Sequence, residues 1–207
     1  MDKSKKRESV VSRTQAIIAV IPLGDSDSGL LQVVADSLQG VLRLPVDLKS
    51  AIPLPEESYM ASRGQYNAMA IIKRLAEIYA DGYLKVIGVT TYDLANPILT
   101  YVFGEAYMNG VSAVMSSFRL WAGTGNQTVS REHFLERAVK VAIHEIGHTF
   151  NIPHCHTDRC VMRSSHNLIE LDHKLNYMCG YCELFLAEAL TKALKEHPTD
   201  LKRQETA

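Results

Sequence analysis

The stretch from His144 to His154 reads HEIGHTFNIPH, and every cysteine of the 207-residue chain falls within the next 28 positions. His144 and His148 are four residues apart, so on a helix both imidazoles leave from one face, one turn apart. Glu145 sits one step round, where a carboxylate can take a proton from water on the same metal. His154 lies past the expected helix end, at the third-ligand offset of the H-E-x-x-H-x-x-G-x-x-H pattern. Three imidazoles with one open position suit a reacting zinc rather than a structural one. The bland alternative is a buried helix that happens to carry solvating histidines. A third His at the matching offset, followed by four cysteines, argues against it.

The flanking residues suit that helix. Ser130 is a good N-cap, and Glu132 in the first turn complements the positive helix end. Phe134, Leu135, Ala138, Val139, Ala142 and Ile146 give one buried face. The helix is expected to stop near Phe150, because Asn151 tolerates the left-handed conformation and Pro153 cannot continue the hydrogen bonding. Asn151 stands where the pattern has glycine, and asparagine is the next most suitable residue for the turn that returns His154.

Cys155, Cys160, Cys179 and Cys182 form C-x4-C and, eighteen residues on, C-x2-C. Two close pairs joined by a medium loop are what a four-thiolate zinc site needs. Two disulfides in a secreted chain are the competing reading, but no secretion signal is convincing and a chain of this length can build a core without staples. His154 and Cys155 are adjacent, and extended backbone sends neighbouring side chains to opposite sides. One segment can therefore serve two metals, with the sulfur site bracing the third histidine. His156 has the wrong offset for the pattern, and His133, His166, His173 and His197 are expected to be solvated.

The run HEIGHTFNIPHCHTDRCVM followed by CGYC resembles the archaemetzincins, a branch of the metzincin metalloproteases with an added four-cysteine zinc. The likeness is dense over residues 138–182. It implies His144, His148 and His154 on a catalytic zinc, Glu145 as general base and acid, and Cys155, Cys160, Cys179 and Cys182 on a structural one. Two Zn2+ per chain are thus expected. The same likeness puts Met162 at the Met-turn, an apolar floor beneath the metal; taken alone, Met162 is a flexible apolar residue suited to a core gap. Some metzincins carry a tyrosine just after this turn, where Arg163, Ser164 and Ser165 stand here. The implied chemistry is hydrolysis of a peptide or protein substrate through a zinc-bound water. The rival function is a zinc-stabilised peptide-binding module with a silent site, for which Glu145 would be superfluous.

Composition narrows the remaining classes. Twenty-two basic residues against twenty-three acidic ones offer no electrostatic case for nucleic acid. The apolar run 16–23 follows a basic, polar start and mimics a signal peptide, but Pro22 breaks it and no small-residue cleavage site follows. A buried strand is the better reading. No apolar segment approaches the roughly 20 residues needed to span a membrane. A cytoplasmic monomer is expected, with a tail over 1–14, one catalytic domain over 15–197 and a frayed end over 198–207. Within the domain an upper lobe covers 15–151 and a zinc-braced lower lobe 152–197.

Helix 30–42, strand 46–49, loop 52–55, helix 65–80 closed by Asp81-Gly82, and strand 84–90 follow in alternation. That order implies parallel strands joined by right-handed crossovers. Segments 101–108 and 111–118 then flank Asn109-Gly110, a strong hairpin signal that adds an antiparallel strand. The expected fold is α/β and metzincin-like: a mixed, mostly parallel sheet with one antiparallel edge strand, packed on helices, plus the small C-terminal lobe. Tyr101, Val102, Phe103, Gly104, Glu105, Ala106, Tyr107 and Met108 would form that edge, to which an extended peptide could add across the zinc. An ordinary edge covered by a loop is the alternative. Asp25, Asp27 and Gly29 are too closely spaced for a calcium loop and lack its terminal Glu, so helix capping suffices. Gly123, Gly125 and Asn126 make a loop with no Lys placed for phosphate. Residues 183–194 read as a terminal helix.

Overall fold

A computed structural model describes residues 15–123 and 128–196. In chain order it has β1 (Gln15–Leu23), α1 (Ser28–Leu42), β2 (Val46–Leu48), β3 (Tyr59–Met60), β4 (Gln65–Asn67) and α2 (Ala68–Tyr79). Then come β5 (Tyr83–Thr90), β6 (Leu94–Ala95), β7 (Gly104–Ala106), β8 (Ser112–Ser116), α3 (Arg131–Thr149), α4 (Leu168–His173) and α5 (Gly180–Glu196). The expected tail and frayed end, together with Gly125, Asn126 and His197, lie outside the described residues.

The five-stranded sheet runs β2-β1-β5-β8-β7, parallel except for β7, which pairs antiparallel with β8 at the edge. Alternation along β1 feeds two cores, because successive side chains leave opposite faces of a strand. Ile18 and Val20 pack with α1 (Leu30, Val34, Leu38) and α3 (Phe134, Ala142). Ala19 and Ile21 pack with α2 (Ile71, Ile72, Leu75). With helices on both faces, the central strands must be apolar throughout, which explains the unbroken run that resembled a leader.

Three elements differ from expectation by about three residues at one end, the others by less. The second helix begins at Ala68, because the Asn67 side chain accepts the N–H groups of Met69 at 3.0 Å and Ala70 at 3.2 Å and caps the helix there. Residues 65–67 instead join β3 and β6 in a small second sheet. The edge strand is Gly104–Ala106 rather than all of 101–108. A two-residue type I′ hairpin needs positive φ at both central residues; only Asn109 has it, at 57°. The Gly110 N–H closes a turn on the Tyr107 carbonyl at 2.8 Å, and Val102 bridges to Leu94 instead of β8. The last helix starts at Gly180, three residues early, and so takes in Cys182. Asp27 is the N-cap of α1, accepting the Leu30 N–H at 3.0 Å, and also binds Arg131.

The lower part of the chain is tied to α3 through Arg137, whose side chain is 1% exposed. Its Nε and Nη2 grip the Asp172 carboxylate of α4 at 2.7 and 2.6 Å, and Nη1 donates to the carbonyls of Leu120 and Ala122 at 2.7 and 2.8 Å. Removing Asp172 would leave the buried Arg137 charge without its counter-ion, a loss of about 3–5 kcal/mol. Among the described residues no helix is long and apolar enough to cross a membrane.

Candidate active site and metal centres

Helix α3 is fixed at both ends. Ser130 Oγ accepts the His133 N–H at 3.1 Å. At the other end the Asn109 N–H binds the His148 carbonyl at 3.0 Å, and Lys85 Nζ binds that of Thr149 at 2.7 Å, meeting the orphan acceptors of the last turn. Asn151 then turns the chain back at φ 63°. Its left-handed conformation brings His154 to the two helical histidines. The ring centroids lie 4.6 Å (144–148), 5.2 Å (144–154) and 4.8 Å (148–154) apart.

The donor chemistry of this trio fits a cation. His144 Nδ1 donates to the Val161 carbonyl and His148 Nδ1 to the Ile152 carbonyl, each at 2.8 Å. A carbonyl can only accept, so each Nδ1 carries the proton and each Nε2 presents a bare lone pair. Those two Nε2 atoms face one another at 3.1 Å, a repulsive arrangement unless a positive ion lies between them. Tetrahedral zinc with arms of 2.0–2.1 Å separates its nitrogens by about 3.3 Å. Burial, followed by the charge of Lys174 and the neighbouring imidazoles, holds His144 well below its ordinary pKa. Burial first also lowers His148 and His154. All three therefore favour the neutral, ligating form.

Glu145 is 6% exposed and lines the same cavity, of about 550 Å³. Burial pushes its carboxyl up to about 8, with Lys174 pulling down and Glu105 pushing up. The edge strand presses directly on it: a Cβ at Gly104 would lie 2.5 Å from Glu145 Cγ and 2.8 Å from the Val114 carbonyl. Of the expected edge residues, Tyr101, Val102, Phe103, Gly104, Glu105, Ala106 and Met108 line the cavity. Tyr107 does not line it and is 58% exposed.

Met162 is fully buried and lies against Gly147, between the two helical histidines in sequence. A Cβ at Gly147 would sit 2.7 Å from Met162 Sδ, so only glycine admits this close approach. The four cysteines are free thiols, with all four Sγ atoms within 4.8 Å of one another. Cys155 and Cys179 are 3.7 Å apart, and Cys160 and Cys182 are 3.8 Å apart. A disulfide would be about 2.0 Å, whereas zinc with thiolate arms of 2.3 Å spaces its sulfurs by about 3.8 Å. Four sulfurs this close cannot all ionise without a cation among them. Burial pushes the Cys182 thiol up; Cys179, despite its burial cost, is drawn down to about 6 by hydrogen bonds led by the Cys182 N–H.

Lys174 carried no sequence signal, yet its ammonium lines the cavity and donates to the carbonyls of Val161 at 3.1 Å and Arg163 at 2.9 Å. A lone charged residue has no periodicity to betray it. Arg63 was likewise unforeseen: it gathers the carbonyls of Asn96, Leu99 and Thr100 at 2.7–3.0 Å and braces the cavity rim. The remaining histidines of the described region lie outside both clusters. His133, His166 and His173 pair with Asp172, Glu170 and Asp158 at 2.8, 3.2 and 3.0 Å, and His156 is exposed.

Comparison with known proteins agrees with this geometry. The profile of Peptidase family M54 matches residues 26–188. An archaemetzincin of Haloquadratum walsbyi is 34% identical over 173 residues, covering 82% of this chain and 99% of that protein. The crystal structure of the Methanopyrus kandleri archaemetzincin superposes with a TM-score of 0.76 at 32% identity, over 86% of this chain and 96% of that one. The Archaeoglobus fulgidus archaemetzincin, crystallised with malonate, gives 0.71 at 34% identity, over 82% and 99%. A match of this breadth in sequence, and over the same fold, places the chain in peptidase family M54, the archaemetzincin family of zinc metallopeptidases.

Proposed function

We propose that the chain hydrolyses peptide bonds at the three-histidine cavity, with His144, His148 and His154 holding one zinc and Glu145 acting as general base and then acid. The observation that carries this reading is the convergence of bare imidazole nitrogens beside a buried carboxylate in one open cavity. Zinc bound there supplies a Lewis acid that brings the pKa of a water toward about 7 and polarises a carbonyl. The chain's own part is positional. The Val161 and Ile152 carbonyls hold the two helical imidazoles in one tautomer. Glu145, pinned by the Gly104 backbone, takes the proton of the attacking water and returns it to the leaving amine. The outer side of β7, at the sheet edge, offers backbone groups along which an extended substrate can lie.

We further propose that Cys155, Cys160, Cys179 and Cys182 hold a second, structural zinc, giving two ions per chain. Free thiols in such a site suit a reducing compartment such as the cytoplasm. The test is a peptide-library digest by the zinc-loaded protein beside Glu145→Gln, read by mass spectrometry with the zinc content of both. Glu145→Gln is expected to keep its metal and lose about 10²–10⁴-fold in rate. Equal cleavage by both proteins would exclude Glu145 as the base. Peptide binding without any cleavage by the parent would show a silent module instead.

A further inference from the structure

Glu105 poses a problem that the hydrolytic chemistry does not solve. It lies on β7, lines the cavity, and buries its Oε2 with no hydrogen-bond partner among the described residues. Burial raises its pKa, and a hydrogen bond from the side chain of Asn96 draws it back. A carboxyl oxygen held out of water without a partner is costly, and a cationic donor reaching it would favour its ionised form; among the described residues none does so. The ammonium of the cavity, Lys174, already donates to the carbonyls of Val161 and Arg163. No Lys or Arg among the described residues forms an ion pair with Glu105.

The register shows where the missing cation would belong. Gly104 packs on Glu145, and Glu105 is the next residue along the same edge. A substrate strand lying beside β7 with its scissile bond at Glu145 therefore passes the Glu105 backbone about one residue, roughly 3.3 Å, farther along, and the Glu105 side chain, leaving the other side of the strand from Gly104, still lines the same cavity. We infer that Glu105 receives a primary ammonium of the substrate within a residue of the scissile bond. This inference rests on the peptidase reading and adds a specificity to it. Two sources carry that chemistry, the free α-amine of a peptide N-terminus and the side chain of a lysine. Both present three N–H donors to a carboxylate that lacks one.

The test uses four peptides: one without lysine and with a free N-terminus, its N-acetylated partner, an N-acetylated peptide with one lysine beside the candidate bond, and its ε-acetyl-lysine partner. Binding is measured by calorimetry on zinc-loaded Glu145→Gln and on the Glu145→Gln/Glu105→Gln double variant, and kcat/KM on the parent and Glu105→Gln. In one pair, the amine-bearing peptide should bind and react about tenfold or more better than its blocked partner, and Glu105→Gln should erase that ratio. The pair that shows it identifies the ammonium. Equal treatment of blocked and unblocked peptides by the parent, or a ratio that survives Glu105→Gln, would overturn the inference. A binding preference without cleavage would sink the peptidase reading and leave the role of Glu105 standing.

Discussion

The Nδ1 hydrogen of His144 is donated to the carbonyl of Val161 at 2.8 Å, and Val161 directly follows Cys160. The residue whose carbonyl orients a helical imidazole is thus the chain neighbour of a cysteine of the sulfur cluster. The same carbonyl accepts from Lys174, and the Val161 N–H donates to the Tyr177 carbonyl at 3.1 Å, so the residue is held at both of its backbone groups. On the other strand of the loop, Cys155 follows His154 and its N–H donates to the Met162 carbonyl at 2.9 Å. Two of the three histidines therefore either accept their orientation from, or belong to, backbone directly beside a cysteine.

Loss of the sulfur site should consequently be felt at the histidines. Cys160→Ser is expected to weaken zinc binding at the histidine trio by about 10–100-fold, the scale seen when a group orienting a metal ligand is removed. Chelator titration resolves the two sites as separate release steps. If the sulfur-bound ion is lost while the histidine step keeps its midpoint, the two centres are independent and the brace does not exist.

Gly147 tests the floor beneath the histidines. The Cβ of Gly147→Ala would meet Met162 Sδ at 2.7 Å, Met162 Cε at 2.9 Å and Met178 Cε at 3.3 Å. All three atoms belong to flexible side chains, so the cost should be moderate, about 1–3 kcal/mol of folding stability. Met162→Ala in the same chain vacates the space and should recover part of it. Chemical denaturation of the single and double variants forms the cycle. Effects that add to within about 0.5 kcal/mol would mean the two residues do not press on each other.

The features legible in the sequence share one property: their meaning lies in short-range spacing. His144 and His148 share a helix face by periodicity, Asn151 marks the turn by its tolerance of positive φ, and the cysteine pairs announce a common centre. The mostly parallel pairing followed from apolar strand runs alternating with helices, since those strands are covered on both faces. The opposite holds for Lys174 and Arg137. Each is buried because carbonyls 13 and 17 residues away come to meet it, and a single charged letter carries no trace of such partners. The edge strand was overextended for a related reason. Asn-Gly is a strong hairpin signal, but whether Gly110 takes positive φ depends on neighbours such as Lys85, which claims the Gly110 carbonyl at 2.7 Å. Asn67 could have been read as a cap, yet the apolar periodicity running through it favoured helix.

Lys85 itself gives a pH-dependent prediction. Its ammonium sits among β5, the Asn109-Gly110 turn and the end of α3, donating to the carbonyls of Gly110 and Thr149 and lying 4.9 Å from the Phe150 ring centroid. Burial pulls its pKa from 10.5 down to about 8. Between those values the unfolded chain holds a proton that the folded chain has released, so folding stability should rise with pH across the window from about 8 to 10.5. The slope from this one group cannot exceed about 1.4 kcal/mol per pH unit. Below pH 8 both states are protonated, and above 10.5 neither is, so the contribution is flat on either side. Lys85→Met has no such proton and should lose that rise. Urea denaturation of parent and variant at intervals from pH 7 to 11 checks it, each with its metal content fixed. Parallel curves through the window would show that the two carbonyls and the aromatic face keep Lys85 charged as fully as water does.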